Sequence, residues 1–172
     1  MSSFDIKILS LSKLIVDYSK FMGWDVVSIR DIGKSRSEEV EQIKVGGYRF
    51  LDAISPHAFR DMLVLSFDDV WLQNQEGVLP SSIQVAGTMA WSEGKDRIVV
   101  HCGAGISRSS AMAYVIACSR IGVDEAIKKL DFRIHAPNPC IVWMGATLLN
   151  DERVYTECKR MEDETARYWT RE

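Results

Sequence analysis

Residues 109–121, SSAMAYVIACSRI, read as a helix that is apolar nearly all round, with Ala111, Met112, Ala113, Val115, Ile116 and Ala117 on every side and Gly122 after its last turn. A helix without a polar face has to be covered on all sides. Most of the remaining chain must therefore supply the layers around it. Directly upstream, Ile98–Val100 is a short β-branched run that reads as a buried strand, separated from the helix by a glycine-containing loop.

Other segments alternate in the same way. Ile6–Ser10 reads as a first strand, Ser12 as the N-cap of a helix of Leu14, Ile15 and Tyr18 closed by Gly23, and Val26–Ile29 as a second strand. A polar stretch, DIGKSRSEE, follows, and residues 40–62 show no clear period. Gly46-Gly47 there reads as a turn, and Ser55-Pro56 as a helix start. Leu63–Phe67 is a further strand, residues 70–81 a loop, and Ser81 or Ser82 the cap of a helix reaching Glu93. After the buried helix come expected helices over Asp124–Phe132, Pro139–Leu149 and 152–169. The last is charged and amphipathic, with Val154, Cys158, Met161 and Tyr168 on one side and Asp163 paired with Arg167 at i, i+4. Alternating strands and helices predict an α/β fold, a central and mainly parallel sheet of four or five strands flanked by helices, in one domain over residues 1–172. Trp24, Trp91, Trp143 and Trp169 read as core residues, and Trp71 as a loop residue able to touch a ligand.

With a formal net charge of −3, the chain offers no electrostatic case for nucleic acid or an anionic membrane as partner. No run approaches the length of about 20 apolar residues that spans a bilayer. The N-terminus MSSFDIKIL lacks the apolar core of a signal peptide. Cys102, Cys118, Cys140 and Cys158 form no CxxC pair and no zinc pattern, and Cys118 and Cys158 fall in apolar helical contexts. These features point to a soluble protein in a reducing, cytoplasmic compartment.

The loop before the buried helix carries the chemistry. In IVVHCGAGISRSS, residues 98–110, a strand ends in His101 and Cys102, and Arg108 stands six positions after the cysteine with nothing bulky between. A strand that passes through such a loop into a helix is an anion site, because loop N–H groups converge and the helix N-terminus adds partial positive charge. Gly103 and Gly105 permit close backbone approach, and Arg108 can hold two phosphate oxygens with its planar fork. Every influence that attracts phosphate also stabilises a thiolate, so Cys102 is expected to act as a nucleophile toward phosphorus. The GK[ST] of nucleotide-binding loops and a GxGxxG after a strand are both missing.

HCGAGISRS resembles the signature of the protein tyrosine phosphatase superfamily: His-Cys, five residues, Arg, then Ser or Thr. It looks most like the dual-specificity branch, including small bacterial and phage-type members. The resemblance implies the phosphatase fold and hydrolysis of phosphomonoesters through a phosphocysteine intermediate, without metal or other cofactor. It casts Cys102 as nucleophile and Arg108 as the phosphoryl-binding and transition-state residue. Ser109 would assist the leaving thiolate, and His101 would orient the loop and help lower the cysteine pKa, without acting as a base. Gly103, Ala104, Gly105, Ile106, Ser107 and Arg108 would form the phosphate cradle, able to hold inorganic phosphate or a similar oxyanion.

The family takes its general acid from a separate upstream loop. LVLSFDDV offers Asp68 and Asp69, 34 and 33 positions before Cys102, where a strand runs out. Aligned on the strand, Asp69 falls at the acid position, with Asp68 as fallback. A late segment, RIHAPNPC, resembles the Arg-x-x-x-Pro-Asn that opens a helix in dual-specificity phosphatases and would bring Asn138 to the loop as a support.

Neither the loop that sets phosphotyrosine depth nor the glutamine-bearing water loop of the large tyrosine phosphatases is found. A shallow pocket is implied, taking phosphotyrosine in a protein or peptide and also phosphoserine or phosphothreonine. Lipid phosphatases of the superfamily tend to carry lysines in this loop, so the resemblance, with Gly103, Ala104, Ile106 and Ser107 uncharged, implies that a phosphoinositide is less favoured. Two alternatives stand beside this reading: a phosphate-binding pseudophosphatase without turnover, and a phosphatase of a non-protein substrate such as an RNA 5′ end, a nucleotide or a lipid.

Overall fold

The structure, a computed structural model, describes residues 4–32, 38–70 and 76–169. Four strands form one sheet: β1 Asp5–Ser10, β2 Asp25–Arg30, β3 Asp61–Ser66 and β4 Arg97–Cys102. The order across the sheet is β1-β4-β2-β3, and every pairing is parallel. Ser10 lies opposite Cys102 at one side of β4, and Ser28 opposite His101 at the other.

Side-chain alternation along β4 divides the molecule into two cores. Ile98, Val100 and Cys102 face one side and join the buried side chains of α4 Arg108–Ile121. Val99 faces the other side, with Leu11 and Leu14 of α1 Leu11–Asp17 and Leu51 of α2 Glu38–Ala58. The period of two makes this unavoidable: neighbouring residues of a strand point to opposite faces. Helices α3 Ser82–Ser92, α6 Pro139–Leu149 and α7 Arg153–Trp169 complete the layer around α4. The α4–α6 contact is so close that a β-carbon on Gly145 would stand 2.4 Å from Val115 Cγ2.

Local signals set most boundaries. Ser81 caps α3 by accepting from the Gln84 N–H, and Gln84 returns the bond to the Ser81 N–H, a capping box. Asn138 caps α6, with Pro139 at its first turn. Asp163 of α7 pairs with Lys159 at 2.9 Å. Val154 and Cys158 of this helix are buried and Met161 is half-buried, whereas the side chains of Tyr168 and Trp169 lie outside the described residues.

Five expectations are corrected. The cap of α1 is Ser10, whose hydroxyl accepts from the Lys13 N–H, not Ser12. Gly46-Gly47 is not a turn and Ser55-Pro56 not a helix start, because both lie inside α2. Gly47 is there for space: a β-carbon would stand 2.9 Å from Ile15 Cδ1, where α1 crosses α2. The helix expected over Asp124–Phe132 stops as α5 Val123–Ala126 with a 3₁₀ turn over Ile127–Lys129. There the Asp131 carboxylate accepts from the Arg133 N–H, and His135 Nδ1 accepts from the Asp131 N–H. These side-chain bonds compete with helical ones. Finally, Trp143 is 58% exposed and not a core residue, whereas Trp24 and Trp91 are half-buried and pack against the two cores. Trp71 and the centre of DIGKSRSEE, residues 33–37, lie outside the described residues. Among the described residues no helix is long and apolar enough to cross a membrane.

Candidate active site

The strands deliver several polar side chains to one end of the sheet, the carboxyl end where open parallel sheets hold their ligands. Asp31 follows β2, Asp68 and Asp69 follow β3 by way of Phe67, and Cys102 closes β4. The loop 103–107 then turns into α4.

Gly105 is the residue that shapes this loop. Its φ is +75°, and a β-carbon would stand 2.5 Å from the Ser10 nitrogen and 2.7 Å from the Leu9 carbonyl carbon. Both the left-handed backbone and the contact with the end of β1 demand glycine. The Leu11 N–H donates to the Gly103 carbonyl at 3.2 Å, a second tie between the loop and the start of α1. So braced, the loop aims the Gly105 N–H at Cys102 Sγ, 3.3 Å away, and the Ser109 hydroxyl stands 3.2 Å from the same sulfur. Burial pushes the Cys118 and Cys158 thiols up to about 12 and raises Cys140.

Arg108 is buried beside the sulfur's loop. Its Nη1 donates to the Phe67 carbonyl at 2.9 Å, its Nη2 pairs with Asp31 Oδ1 at 2.7 Å, and its Nε is buried with no partner. A buried guanidinium N–H left open costs free energy unless something accepts from it. An oxyanion in the loop would be such an acceptor.

The two candidate acids have different surroundings. Asp68 accepts the Ile32 N–H on Oδ1 at 2.9 Å and the Val78 N–H on Oδ2 at 2.8 Å, so it ties together the chain leaving β2 and the segment before α3. Asp69 turns to the loop. Its Oδ1 accepts from the Ser107 hydroxyl at 2.8 Å and from Asn138 Nδ2 at 2.9 Å. Asn138 is fully buried, and its Oδ1 accepts from Cys140 and Ile141 as it caps α6. Its own N–H donates to the Ser107 carbonyl at 3.2 Å, and the Ala136 N–H to Ile106 at 3.1 Å. The RIHAPNPC segment is thereby stitched to the loop.

His101 points to the opposite face of β4 from Cys102. Its ring lies 6.5 Å from that of Tyr48 on α2, and neither ring nitrogen has a hydrogen-bond partner. Burial holds the imidazole down at about 4, with the Cys102 backbone pulling the other way. His101 is therefore neutral near pH 7 and fills space behind the loop. Burial pushes the Tyr48 hydroxyl up to about 12; Asp31 adds to the rise and Arg108 opposes it.

Sequence reasoning had not placed Asp31, Lys44 or Tyr48 here. For Asp31 a signal existed, since it exits β2 as Asp69 exits β3. Lys44 and Tyr48 gave none, because α2 was not legible as a helix. Among the described residues no group of three or more His, Cys, Asp or Glu side chains is placed to hold a metal. A groove of about 690 Å³ along Trp143, Thr147, Asn150 and Tyr155 includes none of the residues around Cys102.

No protein-family model matches the chain, and no curated protein matches it by sequence. Solved structures do match in shape. The chain is similar to a human tyrosine phosphatase-like serine/threonine/tyrosine-interacting protein, with 19% identity, 82% of this chain and 85% of that one covered, and a TM-score of 0.50. It is also similar to Tk-PTP in its active form, with 14% identity, 84% and 89% covered, and a TM-score of 0.51. At such identities the likeness is one of fold.

Proposed function

We propose that this chain, which has the fold of the protein tyrosine phosphatases, hydrolyses phosphomonoesters through a phosphocysteine intermediate. Phosphotyrosine in a protein or peptide is the foremost substrate, with phosphoserine and phosphothreonine also accepted. The observation that carries this reading is the setting of Cys102. Its sulfur accepts the Gly105 N–H and shares a hydrogen bond with the Ser109 hydroxyl at the mouth of α4, while the neighbouring Arg108 keeps a buried Nε with no partner.

In the first step the Cys102 thiolate forms a bond to phosphorus and the ester P–O bond breaks. Asp69 gives its proton to the leaving oxygen. In the second, water attacks phosphorus, its proton passes to the Asp69 carboxylate, and the S–P bond breaks. Ser109 donates to the departing thiolate, and Arg108 holds the equatorial oxygens as charge moves across them. The engagement of both Asp68 oxygens with backbone amides, against the bond from Asp69 to the loop serine, favours Asp69 as the acid. Ile106, in the loop and 45% exposed, offers an apolar edge to a phenyl ring.

The test is p-nitrophenyl phosphate hydrolysis in the presence of EDTA, with Cys102→Ser as control, followed by acid-quench trapping of radiolabelled phosphate on the protein. Turnover that Cys102→Ser abolishes, with label on Cys102, is the expected result. One similar structure is named an interacting protein, and tight phosphopeptide binding without any turnover would move this chain to the binding-module reading.

A further inference from the structure

The cations near Cys102 are not confined to the loop. Asp31 divides its two oxygens between two of them: Oδ1 pairs with Arg108 Nη2 at 2.7 Å and Oδ2 with Lys44 Nζ at 2.9 Å. Lys44 belongs to α2, yet its side chain reaches the loop. A β-carbon on Gly103, the residue after Cys102, would stand 3.5 Å from Lys44 Cε and 3.8 Å from Nζ.

The charge balance gives this arrangement a purpose. Arg108 paired with Asp31 is neutral as a unit, and a phosphoryl dianion approaching an ionised Cys102 would meet no net positive charge from it. Lys44 restores one positive charge at the rim. Its ammonium is a point charge with rotatable donors. Asp31 Oδ2 engages one of its N–H groups, which leaves the others for a second acceptor next to Gly103. Asp31 meanwhile keeps the Arg108 Nη2 edge in place and leaves Nε free.

We propose that Lys44, steered by Asp31, is a ligand of the phosphoryl group bound at Cys102, supplied by α2 where the loop itself has no lysine. The proposal rests on the reading of the Cys102 loop as a phosphate site and adds a specificity-determining residue to it. Because Lys44 touches the phosphoryl group both before and during transfer, its loss weakens binding more than it slows chemistry.

The experiment measures inorganic phosphate binding by calorimetry, and KM and kcat for p-nitrophenyl phosphate, in the full chain and in Lys44→Gln, Lys44→Met and Lys44→Arg. Losing one charge-assisted hydrogen bond should weaken phosphate binding on the order of tenfold in both neutral variants. KM should rise with it and kcat fall less, and Lys44→Arg should recover most of the loss. The inference is overturned if both neutral variants bind phosphate as the parent does, or if Lys44→Arg behaves like them. Lys44→Met, which keeps the apolar stem, decides the matter should Lys44→Gln not fold. Failure of the parent chain to bind phosphate would instead remove the phosphatase reading, and this inference with it.

Discussion

Acid should destabilise this protein through one residue behind the loop. His101 is buried against Tyr48 with both ring nitrogens unpartnered, and its pKa is held at about 4 against an ordinary 6.5. In the unfolded chain the imidazole takes up its proton as pH falls through the ordinary value. In the folded protein it stays neutral until much lower pH. Between the two the unfolded state binds more protons, so stability is intact above about pH 6.5 and drains away as pH falls toward about 4. Going from about pH 7.5 to about pH 5, this one linkage removes about 2 kcal/mol. With a urea m-value of 1–3 kcal/mol/M, the midpoint moves down by roughly 1 M. Carboxylates titrate at the same end, so the measurement is a difference: urea unfolding by tryptophan fluorescence at both pH values, for the wild type and His101→Gln. The wild type should lose about 2 kcal/mol more than the variant on acidification. Equal losses would mean that the ring is hydrated or bonded in the fold, and the account of His101 as a neutral filler would be refuted.

The two aspartates should separate in kcat. Asp69→Ala is expected to lower kcat by about 10²–10⁴ and, because it takes an acceptor from the buried Ser107 hydroxyl and from Asn138, to cost about 1–3 kcal/mol of stability as well. Asp68→Ala, whose bonds to the Ile32 and Val78 N–H groups are exposed, should cost about 0.5–1.5 kcal/mol and far less activity. A larger kcat loss for Asp68→Ala than for Asp69→Ala would show Asp68 to be the acid. Gly145→Ala puts a carbon 2.4 Å from Val115 Cγ2 and should lower stability by about 1–3 kcal/mol through overpacking of α4 against α6, read as a fall in Tm.

The strand, loop and helix around Cys102 were legible because each level of pattern agreed. The β-branched run, the loop glycines and the faceless helix all describe one unit, and the structure builds it over Arg97–Ile121. The expected central sheet is there as well, with four strands, all parallel. Helix α2 was hidden because its punctuation means something else in three dimensions. Gly47 is a packing contact with α1, and Pro56 lies just before the helix ends at Ala58, so it accompanies the close of a helix and not its start. Losing α2 from the reading also lost Lys44 and Tyr48, since nothing local ties them to a cysteine so far along the chain. Asp31 was visible but could not be ranked, because a strand-end aspartate looks alike whether it meets water or a guanidinium. Trp143 was read as core by residue type, although its place on α6 is exposed.

The sheet order β1-β4-β2-β3 seats β4 between two neighbours. Rim strands can fray and reseat in small excursions, but an inner strand parts from its neighbours only when the whole sheet comes open. The amides leading up to Cys102 should accordingly be among the last to exchange for deuterium. Slow leakage at the margins of the fold leaves the sulfur where it was, and the site fails when the molecule does.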